Sequence, residues 1–173
     1  TVSSTYNAGN NRTHTISGNF TNAGIVNAGT STIRIGGAFT GAGTFNKGTG
    51  TVEYNGGAQA IANVDYHNLT LSGSGTKTPS TGLNASGNFT VNSGSTFEAG
   101  NYTHTVSGNF ANAGRFNSGS SGTVALNGGS AQSISFANGS LNNLTMSGMG
   151  TKTANSNLPV EGDFIINNGS EFI

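Results

Sequence analysis

Large apolar residues recur along this chain at fixed distances from glycine. Gly18-Asn19-Phe20, Gly37-Ala38-Phe39, Gly87-Asn88-Phe89, Gly108-Asn109-Phe110 and Gly162-Asp163-Phe164 share one form: glycine, a small or polar residue, phenylalanine. After Phe20, Phe39 and Phe110 a glycine follows four residues on (Gly24, Gly43, Gly114) and an apolar residue six on (Val26, Phe45, Phe116). After Phe89 and Phe164 the glycine comes five on and the apolar residue, Phe97 or Phe172, eight on. Six and eight are even steps, which place both apolar side chains on one face of an extended chain. The pattern predicts a strand–turn–strand corner used five times. Its structural residues are Gly18, Phe20, Gly37, Phe39, Gly87, Phe89, Gly108, Phe110, Gly162 and Phe164.

The corners belong to longer repeats. Asn11–Phe20 matches Asn101–Phe110 at an offset of 90 residues, and Gly50–Gly57 matches Gly122–Gly129 at an offset of 72. Asn68–Gly73 matches Asn143–Gly148 at 75, as does Gly75-Thr76-Lys77-Thr78 with Gly150-Thr151-Lys152-Thr153. The offset falls because the second period lacks about 18 residues, and Gly18–Ile35 resembles Gly37–Tyr54 at an offset of 19. A unit gained or lost whole is one coil of a solenoid. Each such coil holds three short strands, near Phe20, near Val26 and at Thr32–Ile35. The chain is therefore expected to be all-β: a parallel β-helix, roughly three-sided, with coils of about 19–27 residues. Residues 1–173 form one solenoid of two long periods, about 11–100 and 101–173, with wider coils expected where about 50 residues separate Phe39 from Phe89. A helical reading fails, since a glycine every few residues costs about 1 kcal/mol at each helical position. A sandwich of antiparallel hairpins does not explain the gain or loss of whole 19-residue units.

In such a stack Phe20 lies near Phe39 and Phe89 near Phe110. Burial of each ring contributes roughly 1.5–3 kcal/mol. Asn27, Asn46 and Asn117, beside the corners, suit either amide ladders or left-handed turn positions. Thr1–Gly9 resembles Thr90–Gly100, and Phe164–Ile173 resembles Phe89–Glu98. The chain is thus expected to begin and end at one phase of its repeat, as a segment of a longer array or a subunit associating end to end with its own kind.

Composition narrows the partners. Only 7% of residues are charged and six basic residues balance six acidic ones, so no broad attraction to nucleic acid or to an anionic membrane is expected. No apolar run approaches the roughly 18 residues of a membrane span, so membrane insertion is not expected. With no cysteine there is neither a disulfide framework nor a thiolate metal site. Two prolines, Pro79 and Pro159, leave long ladders nearly uninterrupted.

Candidate chemistry is sparse. Six Thr-x-Thr triplets occur: Thr13/Thr15, Thr30/Thr32, Thr49/Thr51, Thr76/Thr78, Thr103/Thr105 and Thr151/Thr153. β-Helical ice-binding proteins use ladders of such pairs. Measured from the phenylalanines, however, these fall into three registers, and only Thr30 and Thr49 are expected on successive rungs. His14, His67 and His104 read as exposed strand residues rather than metal ligands. The carboxylates Glu53, Asp65, Glu98, Glu161, Asp163 and Glu171 show no paired spacing of the kind glycoside cleavage needs. No nucleophile elbow or phosphate loop is present. The expectation is a protein that is not an enzyme and carries no cofactor, catalytic residue or metal. Tyr54, Tyr66 and Tyr102 are candidates for a glycan platform, with packing the simpler role for Tyr54.

The run Gly50–Ile61, followed by Tyr66–Leu71 and Gly87–Val91, resembles repeats of very large secreted surface proteins of Bacteroidota and other bacteria. Those are similar in turn to filamentous-haemagglutinin and autotransporter passengers. The resemblance covers nearly the whole chain and appears twice. It implies an extracellular or cell-surface, non-catalytic β-solenoid forming an adhesin stalk or a head-to-tail filament. It carries no binding residue with it, because the motif is the scaffold itself. The alternative is a glycan- or ice-binding module using a face of Thr, Asn and Tyr.

Overall fold

Strands of two to nine residues alternate with glycine-rich corners, and every ladder among the described residues is parallel. In the computed structural model, which describes Thr1 and residues 4–173, the chain is an all-β solenoid of about 8 turns without a helix. Val2 and Ser3, part of the segment matched to Thr90–Gly100, lie outside the described residues. Parallel stacking follows from the sequence. Each coil returns to the same column after one circuit, so neighbouring strands run in one direction and every interior N–H and C=O finds the coil above or below.

One column, on the first of three faces, runs His14, Ile33, Val52, Leu69, Phe89, Phe110, Ile134. The coil length along it changes from 19 residues to 17 between Val52 and Leu69, then 20, 21 and 24. The wide coils expected between Phe39 and Phe89 are absent. That stretch holds extra circuits of ordinary length, passing Gln59–Ile61 and Tyr66 before Asn68–Leu71. Two long strands, Phe110–Ser118 and Gln132–Ser140, run through a corner and join the first and second faces into one sheet.

Residues alternate between core and surface along most strands. In Thr51–Tyr54 the buried residues are Val52 and Tyr54; in Ser95–Gly100 they are Ser95, Phe97 and Ala99. The interior is a set of aromatic stacks. Phe20 and Phe39 stand with ring centroids 5.0 Å apart and Phe89 and Phe110 with 5.4 Å, as the repeat requires. Phe97, Phe116 and Phe136 continue the packing edge to face.

The long period and the coil do not share a phase. His14 and His104 are repeat equivalents, yet His14 lies in the Ile33 column and His104 in a different one, with Val124. Between them the chain makes four circuits and then passes two further faces. Each long period therefore starts one face away from where the last one started. Phe110 shares a column with Phe89 although its own equivalent, Phe20, does not share one with His14.

Candidate functional site

The recurring corner is a stitch between coils. The Asn19 side-chain oxygen accepts the Ala38 N–H at 2.8 Å. Asn68 accepts from Asn88 N at 2.9 Å, Asn88 from Asn109 N at 2.8 Å, and Asn109 from Ser133 N at 2.8 Å. In the second period Asn143 accepts from Asp163 N at 2.8 Å. The glycine makes room for this carboxamide. A Cβ on Gly87, Gly108 or Gly162 would stand 2.5–2.6 Å from the Oδ1 of the asparagine below, and one on Gly37 closer still to Asn19. In the copies centred on Asn19, Asn88 and Asn109 the side chain stitches upward and the phenylalanine fills the core, while the glycines at 37, 87, 108 and 162 admit the stitch from below.

Phe20, Phe39, Phe89 and Phe110 are buried, whereas Phe164 is 44% exposed, with Ile165 and Ile166 similarly open. Its strand pairs with Asn143–Met146 on one side and has no described partner on the other. Leu144, Val160, Phe164 and Phe172 line an open groove of about 430 Å³ at this end.

A second recurring feature lies inside. Lys77 and Lys152 are fully buried. The Lys77 ammonium donates to the carbonyls of Gly56, Gly57 and Ser74 at 2.8, 2.5 and 3.0 Å. Lys152 donates to Gly128 at 2.8 Å and Met149 at 3.3 Å. Gln59 and Gln132, beneath the lysines in the same ladders, satisfy backbone groups of the coil below them. Desolvation lowers both lysine pKa values. Neither amine can reach a substrate. They complete the hydrogen bonding of Asn-Gly-Gly loops at Asn55 and Asn127, which is why Gly75-Thr76-Lys77 recurs as Gly150-Thr151-Lys152. That recurrence was the sequence signal for this interior role.

The histidines are not free surface groups. His104 is buried, with Nε2 on the Ala99 carbonyl at 2.9 Å and Nδ1 accepting the Leu83 N–H at 3.2 Å. Those two partners set a neutral ring, and burial lowers its pKa. His14 is half-buried, 2.7 Å from the carbonyl of Ala8 and 2.6 Å from the Tyr6 hydroxyl. Among the described residues no group of three His, Cys, Asp or Glu could hold a metal. The carboxylates take part in coil-to-coil contacts such as Glu53 with Arg34 at 2.7 Å, and Glu98 with Asn117.

The threonine reading needs correction. Thr13, Thr32 and Thr51 form three successive rungs. The column beside them runs Thr15, Arg34, Glu53, Thr70, so an ion pair interrupts the pairs. The tyrosine platform is also reduced: Tyr54 and Tyr66 are buried and hydrogen-bonded to each other at 2.9 Å, leaving Tyr102 at the surface. For Asn27 and Asn46 the asparagine alternatives are decided, whereas Asn117 donates to Glu98 and accepts from Arg115. Asn46 donates to Asn27 at 2.7 Å and Asn27 to Asn7 at 2.6 Å, an amide ladder. Among the described non-glycine residues only Asn11 has a positive φ.

On the second face a groove of about 610 Å³ runs between Ser93–Thr96 and Ala113–Arg115. Arg115, bonded through Nε to Asn117 at 2.8 Å, supplies its one charged side chain. No protein-family model matches the chain, and no curated protein or solved structure matches it.

Proposed function

We propose that this chain is a non-catalytic structural module, a length of extracellular β-solenoid that extends a bacterial surface adhesin or builds a fibre. The observation that carries this reading is the use made of its polar groups. The corner asparagines, the buried lysines and glutamines, and the Arg34–Glu53 pair all join one coil to the next. About 8 turns at the roughly 4.8 Å strand spacing make a rod of roughly 40 Å. Load along its axis is shared by every ladder and by the side-chain stitches.

Force spectroscopy on the protein held through its two ends tests this. Extension in coil-sized steps, with Asn88→Ala and Lys77→Met lowering the force at their own coils, is the expected result. Collapse in one low-force event that neither variant alters would defeat the structural reading. A second reading, glycan binding, draws on the Arg115 groove. Binding of an acidic oligosaccharide that is lost in Arg115→Ala would favour it.

A further inference from the structure

Resting on the structural reading above, we infer that the open end of the solenoid docks the first coil of a second copy of this chain, in one defined register and by exchange of one strand.

Four corner glycines lack a Cβ because the side chain of the coil below stands where it would be. Gly18 occupies the same motif position, its φ is not in the left-handed region, and nothing lies within 4 Å of its Cβ site. Among the described residues the glycine has no steric reason. It has one if a coil with a corner side chain packs beneath it. Asn19 N–H, the donor that such a side chain would engage, has no acceptor among the described residues.

Asp163 supplies the missing side chain. It stands where Asn88 stands in the other period, and Asn88 accepts Asn109 N–H at 2.8 Å from the covering coil. Asp163 offers a carboxylate oxygen at the same position, at the open end, with no described coil above it. Residues 159–173 repeat residues 84–98 at an offset of 75. The inner copy of that edge is covered by Asn101–Asn117, whose repeat twin is Asn11–Asn27, 90 residues earlier. The chain thus carries at one end the edge, and at the other the segment, that it already joins in its own middle.

The register follows from the inner joint. Phe89 on Phe110 becomes Phe164 on Phe20 of the second copy, and Thr90 on Ala111 becomes Ile165 on Thr21. Phe97 on Phe116 becomes Phe172 on Val26. The ladder on Ile25–Asn27 is held at present by Thr5–Asn7, with Tyr6 opposite Val26. Ser170–Phe172 and Thr5–Asn7 claim the same place, so docking replaces the second copy's own first strand. The second copy arrives turned by one face, as each long period is turned on the last.

The chain has no cysteine, so a disulfide reports the joint directly. Neighbouring parallel strands bring paired Cα atoms to about 4.8 Å, inside the range a disulfide bridges. The Ile165→Cys/Thr21→Cys protein, mildly oxidised, is expected to give a ladder of covalent dimers and higher multimers. The Ile165→Cys/Thr40→Cys protein, one rung out of register, should stay monomeric. Gly18→Ala is expected to leave the monomer's melting temperature unchanged or slightly higher while weakening association at least tenfold by light scattering. Tyr6→Ala should strengthen association and Phe172→Ala weaken it. Equal cross-linking at Thr40, or association untouched by Gly18→Ala, would overturn the register. Association unchanged or weakened by Tyr6→Ala would overturn strand exchange. A protein that stays monomeric at high concentration would end the docking inference while leaving the force measurement, and the structural reading, unaffected.

Discussion

Phe89 and Phe164 are the same residue of the same motif, 75 positions apart, and they live in different solvents. Phe89 is 2% exposed, held between Leu69 below and Phe110 above. Phe164 has Leu144 below and an open side above, and is 44% exposed. Neither the local sequence nor the backbone of the corner accounts for the contrast. In a solenoid a side chain is buried by the coil that follows about twenty residues later, so the motif specifies which way the ring points and the next coil decides whether it is dry.

The largest test of that comparison is truncation of the two rings. Phe89→Ala removes a fully packed ring and is expected to cost about 3–5 kcal/mol. Phe164→Ala should cost under about 1 kcal/mol in the monomer, since little burial is lost. Denaturant unfolding with hydrogen exchange at Leu69–Leu71 and Asn143–Met146 would show both the size and the location of each effect. Equal losses would mean that the corner's own coil, not the next one, carries the ring's stability.

The lysine pair comes next. Lys77→Met takes the charged donor from three part-buried carbonyls, for an expected loss of about 2–3 kcal/mol, while Lys152→Met takes it from two, one of them held only at 3.3 Å, and should lose less. Thermal melts of the two variants side by side would rank them. Smaller still is the stitch. Asn88→Ala removes the acceptor of the solvent-exposed Asn109 N–H, at about 0.5–1.5 kcal/mol. Asp163→Ala, whose carboxylate meets no described coil above it, should change monomer stability by less than about 0.5 kcal/mol.

The smallest expected effect is in acid. Burial holds the His104 pKa below its ordinary 6.5. As pH falls through 6.5 the unfolded chain takes up the proton before the folded one does, so stability is complete above that value and declines below it until the folded pKa is passed. The melting temperature should therefore drop between about pH 7.5 and pH 5 more in the parent protein than in His104→Gln. A parallel decline in both would assign the acid sensitivity elsewhere.

Much of the architecture was legible in order along the chain. The 19-residue unit marked a coil, the even steps from phenylalanine marked corners, and the pairing of Phe20 with Phe39 and of Phe89 with Phe110 followed from both. What could not be read was column membership over longer distances. Thr13 was set apart from Thr32 by its distance from the nearest phenylalanine, although the two share a rung, because that distance spans a different corner. His104 and Lys77 carry polar side chains that composition assigns to the surface. Their burial depends on the carbonyls of Ala99, Gly56, Gly57 and Ser74 converging on them, an arrangement of backbone from several corners that side-chain type does not announce.

By itself, then, the sequence determined that this protein is a stack of short parallel strands. Glycine spacing, strand-forming residues and a unit that repeats whole admit no other use of the backbone. The tertiary structure decided which repeats face one another. Each coil adds between 17 and 24 residues in this column, and their accumulated sum turns the second long period by one face. That sum is a property of the closed coils, since it depends on how many residues each corner consumes, and it settles which Phe stands on which.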